Sequence, residues 1–491
     1  MNIQLSDHFT YKRLLRFVLP SILMIMCTSV YSIVDGFFVS NFVGTTPFAA
    51  INLTFPVLMA VASIGFMAGT GGSAVVSKTM GEGNRERANE YFTMIIAALF
   101  GGAVVLSVIG FIMARPITMA LGATQEELIR DCVLYIRIGF LSMPAFILQF
   151  AFQSFFVAAQ KPGLSLKANV AAGIVNGILD YVLIVIFHWG LAGAAIATSA
   201  GQIVGGLIPV IYFMRKNDSL LQFKKFHMHM DVIGKVCING SSEMVTNLSS
   251  SIVNILYNFQ LMKLAGEDGI AAYGVILYIN IIFMAIFMGY SIGSAPIVSY
   301  HYGAGNHTEL KNLFRKSLTF LMISGVVLLA ASEVLARPLS AIFVNYDTRL
   351  LELTVHGFRI YSLAFLIMGI NVWGSSFFTA LNNGLVSAVI SFLRTLVFQI
   401  VVISVLPLWF GVDGIWFSVV AAEGMALFVT GIPFHESPEV SLLRIAGAVY
   451  VTLHNTYDIL KETDMAWRIG LRWFRRSDIT MNLSFQCIRT S

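Results

Sequence analysis

The chain has 491 residues, of which 57% are hydrophobic and only 12% charged, and its formal net charge is +5. That little charge cannot cover a soluble protein of this length, and apolar stretches of about twenty residues recur, each long enough to cross a hydrocarbon core of roughly 30 Å. An all-α polytopic membrane protein is implied; a β-barrel is excluded because the runs are continuous rather than alternating, and nucleic-acid binding is not indicated because Lys and Arg collect in short inter-helix loops.

Twelve spans are predicted at about 14–39, 48–77, 91–114, 132–158, 165–187, 192–214, 236–263, 270–298, 316–336, 353–380, 385–407 and 412–432. They group into a cytoplasmic N-terminus (1–13), a six-helix lobe (14–214), a linker (215–235), a second six-helix lobe (236–432) and an atypical charged tail (433–491). Lys12, Arg13 and Arg16 precede the first span without a small-residue cleavage site, so this span is expected to be retained. Pro20 lies midway along it, where a missing backbone hydrogen bond permits a kink, static or moving.

Positive charge sets the orientation. Lys78, Arg85 and Arg87 follow the second span, Lys161 and Lys167 the fourth, Arg215, Lys216, Lys224, Lys225 and Lys235 the sixth, and Lys311, Arg315 and Lys316 the eighth. The opposite loops offer mainly Arg115, Arg130, Lys263, Arg337 and Arg349. The alternation places the N-terminus and the long linker in the cytoplasm. Cys27, Cys132, Cys237 and Cys487 are far apart and have no metal-type or redox-type spacing.

Self-comparison exposes a duplication. SIVDGFFV (32–39) aligns with SIVNILYN (251–258), GEGNRERANE (81–90) with GAGNHTELKN (303–312), and HWGLAGAAIAT (188–198) with WFGVDGIWFSV (409–419). The offset is nearly constant, and because six spans is an even number the two copies enter the membrane from the same side. Parallel repeats of this kind are found in transporters with a substrate site between two lobes.

An acid inside a span costs several kcal/mol and so points to function. Asp35 lies well inside the first apolar run, although an acid near a helix end can also reach the interface. Asp180 and Asn176 are four residues apart and project from one face of the fifth span. Acid, amide and hydroxyl oxygens suit a small dehydrated cation; alternatively, a desolvated carboxylate holds a proton more readily and can exchange it near physiological pH. Asp35 corresponds to Asn254 in the second copy, and Asn176 and Asp180 fall opposite about Val397 and Val401, so the acids are not shared architecture. Glu243, early in the seventh span among hydroxylated neighbours, is either a counter-charge for a cationic substrate, a second proton site or a satisfied buried acid. Glu423 in the last span is a weaker candidate.

Enzyme signals fail. GEGN and GAGN lack the Lys-Ser/Thr ending of a phosphate-binding loop, HESPE (435–439) is not a zinc-protease motif, and no nucleophile elbow occurs. No enzyme activity and no cofactor are expected.

The twin pattern, with SIVDGFFVSNFVG, GTGGSAVVSKTMGEGN and NGILDYVLI followed by GLAGAAIAT, resembles the MATE (multidrug and toxic compound extrusion) family in its prokaryotic branch, over about residues 10 to 430. The resemblance implies two six-helix lobes around a cavity and drug export by alternating access, driven by H⁺ or Na⁺. It implies a cation site of Asp35, Asn176, Asp180 and Thr198, with Tyr31 supporting Asp35, Pro20 at the bend of the first helix, and Glu243 as a substrate or second coupling position. No metal beyond Na⁺ is expected. Small organic cations and the lipid bilayer are the expected partners, in a monomer of the inner membrane. Two rivals remain: a lipid-linked oligosaccharide flippase, toward which Arg394 leans, and a non-transporting receptor or scaffold.

Overall fold

The structure is a computed structural model, and it describes residues 3–436. Among the described residues it is all-helical, and residues up to Thr430 form one compact unit. The first lobe comprises α1 (Tyr11–Phe42), α2 (Thr45–Gly81), α3 (Arg85–Ile112), short α4 (Ala114–Ala120), α5 (Glu126–Ala158), α6 (Pro162–Asp180), which continues as a π-helical stretch Tyr181–Ile186, and α7 (Gly190–Met214). The second comprises α8 (Met230–Gly303), α9 (His307–Val344), α10 (Thr348–Ser362), α11 (Phe365–Ala380), α12 (Gly384–Phe392), a π-helical stretch Leu393–Val397, and α13 (Phe398–Glu436).

Nine of these helical runs among the described residues are long and apolar enough to cross a membrane, and the bent pair α10–α11 makes a tenth. Two of the runs are folded back on themselves. In α8, Gly266 leaves helical geometry at φ 64°, and the Tyr273 hydroxyl donates to Asn254 Oδ1 at 3.1 Å. Along a straight helix those residues would lie about 28 Å apart, so the chain reverses at Gly266. In α13, Gly411 at φ 56° does the same: Gly414 packs on the Leu406 carbonyl. Counting these hairpins gives twelve spans.

Several predicted bounds change, most at the ninth span, which runs over His307–Val344 rather than 316–336, while α8 begins at Met230, inside the predicted linker. Short α4 lies where a loop is predicted. The tenth span is bent by 52° between Ser362 and Phe365 rather than straight over 353–380. The last helix runs to Glu436, past the predicted 432. From residue 437 on, the predicted charged tail lies outside the described residues.

The repeated GEGN and GAGN segments have a structural explanation. Gly83 and Gly305 adopt positive φ (84° and 66°) as α2 and α8 end, where a side chain would be strained. Asn84 and Asn306 then accept from the backbone N–H of Arg87 and Glu309, each at 3.1 Å, and cap α3 and α9. Both segments are tight helix–helix connections.

The lobes meet where glycine removes the side chain. A Cβ on Gly81 would fall 2.0 Å from the Tyr300 carbonyl oxygen, and one on Gly303 would fall 2.0 Å from that of Lys78. Gly71 lies on the Val236 carbonyl and Gly293 on Val18; Gly240 lies on the Met67 carbonyl and Gly289 on Ile22. Each contact has its mate in the other copy of the repeat, so the interface carries a local pseudo-two-fold. All of these contacts sit toward the bundle end that carries the N-terminus and the linker.

A methyl group is therefore costly at the interface and harmless away from it. Gly240→Ala is expected to lower the melting temperature of the detergent-purified protein by several degrees, about 1–3 kcal/mol for an overpacked contact. Gly102→Ala, with nothing within 4 Å of the added Cβ, should leave it unchanged or raise it slightly. Equal shifts would contradict the interface described.

Candidate functional site

Small residues bring three helices of the first lobe together. Gly173 on α6 lets Tyr31 of α1 approach, its ring carbon 3.1 Å from where a Cβ would stand. Gly201 on α7 packs against the Ala172 carbonyl and the Asn176 Cβ of α6. One turn from these contacts lie the polar groups: Asp35, one turn after Tyr31; Asn176 and Asp180 on one face of α6; and Thr198, one turn before Gly201.

The structure brings all four together. The Thr198 hydroxyl donates to Asp35 Oδ1 at 3.3 Å, and Asp35 faces both Asp180 and Asn176. Asp180 is fully buried and Asn176 nearly so. Both Asp180 carboxylate oxygens and the Asn176 amide nitrogen lack a well-formed hydrogen bond among the described residues. Neither carboxylate has an ion-pair partner there among Lys, Arg or His. Two acids and an amide packed in an apolar bundle without a cation form an incomplete electrostatic arrangement, since buried charges are ordinarily paired. The donor set of two carboxylates, an amide carbonyl and a hydroxyl is all oxygen and fits Na⁺; a proton shared by the carboxylates completes it equally well.

Two features of this region do not follow from the sequence pattern. The helix widens to π-helical geometry immediately after Asp180, over Tyr181–Ile186, a distortion frequent at functional sites. Tyr135 of α5, nearly buried, stands within electrostatic range of both Asp35 and Asp180. A lone phenol in an apolar span was the available signal for it. Pro20 lies inside an unbroken α1, beside the Ser21–Ile22 backbone that meets Gly289 and far along the helix from Asp35.

Glu243 does not join this cluster. It is half-buried on α8 and faces Arg394. Arg394 in turn is bound to Glu423, with Nε 2.9 Å from Oε1 and 3.1 Å from Oε2. Asn371 of α11 donates to Glu423 Oε2 at 2.7 Å and to its backbone carbonyl at 2.9 Å. All three side chains are buried. The second lobe thus neutralises its deepest acid, joining its tenth, eleventh and twelfth spans, and the first lobe leaves its own uncompensated.

Comparison with known proteins agrees with this architecture. The MatE family model matches residues 20–182 and again 244–405, one match per lobe. The chain is 25% identical over 425 residues to the multidrug export protein MepA of Staphylococcus haemolyticus, covering 85% of this chain and 92% of that one. Among solved structures, a MATE protein in complex with MaL6 superposes with a TM-score of 0.82 at 19% identity over 86% of this chain and 95% of that one. A MOP superfamily transporter from Pyrococcus furiosus, described as having a binding pocket of reverse polarity, gives 0.80 at 18% over 86% and 95%.

The ion pair in the second lobe makes its own prediction. Arg394→Met strands the Glu423 carboxylate and is expected to destabilise the purified protein by about 3–5 kcal/mol. Adding Glu423→Leu should recover most of that loss in a thermal-unfolding assay. If the double variant is as unstable as the single one, the pair is not what holds these spans.

Proposed function

Because the chain belongs to the MatE family of membrane transporters, we propose that it is a cation-coupled antiporter that expels amphipathic, often cationic, organic compounds. It is a transporter and not an enzyme, so the site's task is to bind and release, not to convert. The carrying observation is the half-buried Asp35 against the buried Asp180, with Asn176 and Thr198 beside them and no compensating cation among the described residues.

A ligand drives a conformational switch only through unequal affinity for the two states. The cluster supports that requirement: with H⁺ or Na⁺ bound its negative charge is offset, and with the ion gone two carboxylates must be held apart in an apolar bundle. Binding the ion on the outer side therefore favours the state in which the helices α1, α6 and α7 close around it. The rearrangement of the first lobe then releases the organic compound outside, in alternating access. Relatives named as multidrug export proteins support the class of compound, and the half-buried acid Glu243 supplies a second position for a cation or proton. We place the protein in the cytoplasmic membrane with the N-terminus inside, on the distribution of Lys and Arg among the loops.

The flippase reading needs free Arg or Lys in the cavity for a pyrophosphate. Arg394 is committed to Glu423 at 2.9 Å, which favours export of cations instead.

Everted vesicles test the proposal, with a pH gradient and a sodium gradient imposed separately and export of a cationic dye recorded. The intact protein should move dye under one gradient. Asp180→Asn should abolish that movement at unchanged membrane expression, and normal ion-driven efflux by this variant would overturn the assignment of the site. Tyr135→Phe keeps the ring and is expected to preserve transport with an altered ion dependence, read from the ion concentration giving half-maximal rate.

A further inference from the structure

Two chain segments outside the spans cross from one lobe to the other. The segment before α1 belongs by chain to the first lobe, yet it lies on the second. Leu5 and Phe9 are fully buried, and Phe9 meets His301 at the end of α8 edge-on, 6.4 Å between ring centres. The Phe9 backbone N–H donates to Glu309 Oε1 of α9 at 2.9 Å, and His8 Nδ1 lies 2.6 Å from Oε2 of the same carboxylate. Asn312 and Lys316, one and two turns along α9, both donate to the Phe9 carbonyl, at 3.0 and 2.6 Å.

The segment before α8 mirrors it. The linker lies along α3 of the first lobe. Gln222 and Lys224 donate their backbone N–H groups to Asn89 and Thr93 side chains at 2.8 and 3.0 Å. Immediately before α8 begins, the His227 N–H donates to Glu90 Oε1 at 3.0 Å, and His229 Nε2 stands 3.5 Å from the same oxygen. At the start of the linker, the Lys161 ammonium, 2.8 Å from Asp218, holds that exposed carboxyl below the usual carboxylate range.

The two straps correspond under the internal repeat, as do their receiving helices α3 and α9. Each ends on one glutamate that accepts a backbone N–H and faces histidine. Each joins the first residues of one lobe to the opposite lobe, at the bundle end where the glycine contacts close the interface. The contacts exceed what is needed to tidy a terminus, because a segment that only covered its own lobe would not be held by the other.

We propose that the two straps form a paired latch, in which Glu309 with the Phe9 segment and Glu90 with the His227–His229 segment hold the lobes closed at this end and must release for the cavity to open there. The proposal rests on the alternating-access reading, but its test records opening rather than transport, so the two can fail separately.

The reporter is Val18→Cys, a fully buried side chain aimed at Gly293 of the opposite lobe. It is placed in a protein whose own four cysteines are replaced by serine, and labelled by a water-soluble maleimide after purification. Glu90→Ala with Glu309→Ala should raise the labelling rate about tenfold, with each single change giving less. Glu90→Gln with Glu309→Gln, which keeps an acceptor oxygen, should return it toward the parental rate. A disulfide between His8→Cys and Glu309→Cys should depress labelling at position 18, read from the mass of that peptide, and prior reduction with dithiothreitol, removed before the maleimide is added, should restore it. A buried control, Ala194→Cys in the first lobe, separates opening from unfolding. Parental labelling of Val18→Cys in the double alanine variant, or no effect of the disulfide, would overturn the latch; if Ala194→Cys rises in parallel, the disulfide result alone decides.

Discussion

Backbone against backbone, with no Cβ between, is the condition on which the arrangement of the lobes depends. Gly81 and Gly303 face the carbonyls of Tyr300 and Lys78, and Gly71 and Gly240 face those of Val236 and Met67. Such contacts give dispersion and close approach without interlocking side chains. A surface of that kind is tight when closed and has little steric hindrance to parting, which suits two lobes that rock against each other about a shared site. Because every contact has a mate in the other repeat, both lobes close on the same terms. The duplicated Gly-x-Gly-Asn segments belong to the same design: they turn α2 into α3 and α8 into α9 just beyond the interface.

On that symmetric frame the chemistry is unequal. In the second lobe Glu423 is saturated by Arg394 and Asn371, and Asn254, standing where the first lobe has Asp35, accepts an ordinary hydrogen bond from Tyr273. A buried ion pair of this sort adds little net stability compared with an apolar replacement, but breaking it is expensive. It therefore fixes one arrangement of the tenth, eleventh and twelfth spans. The acids of the first lobe have no such partner, and their environment changes whenever an ion arrives. One lobe is set to stay as it is and the other to respond.

Much of this was legible in the chain, for identifiable reasons. Spans are legible because lipid demands long apolar runs and because charge must sit in the loops. The first-lobe cluster is legible because Asp35 and Asp180 are costly where they stand and Asn176 shares a face with Asp180. What escaped depends on contacts distant in sequence or on local backbone. Arg394 and Glu423 are separated by a helical hairpin, so each alone reads as a stray charge, and Arg394 suggests an anion site that the pair removes. Tyr135 has no neighbour in sequence to mark it. The bend at Ser362–Phe365 falls where an amphipathic helix carrying Glu352, His356 and Arg359 passes into an apolar one with no Gly or Pro to mark the break, and short α4 is too brief for periodicity to reveal.

The π-helical stretches connect these two observations. One follows Asp180 directly, and the other contains Arg394, so in each lobe the fifth span of the repeat is distorted beside its charged residue, though not at equivalent positions. An α-helix that inserts an extra residue turns its following side chains to a new face and leaves carbonyls less well paired. Evolution of a duplicated helix toward different tasks needs such local freedom, because the flanking glycine contacts forbid shifting the helix as a whole: a Cβ on Gly201 would stand 2.9 Å from the Ala172 carbonyl oxygen of α6 in the first lobe, and one on Gly384 would stand 2.4 Å from the Asn239 backbone in the second. The distortion changes where the charge points while the packing stays. On this argument the divergence of the two lobes was confined to the local backbone of the fifth span by the tight packing around it.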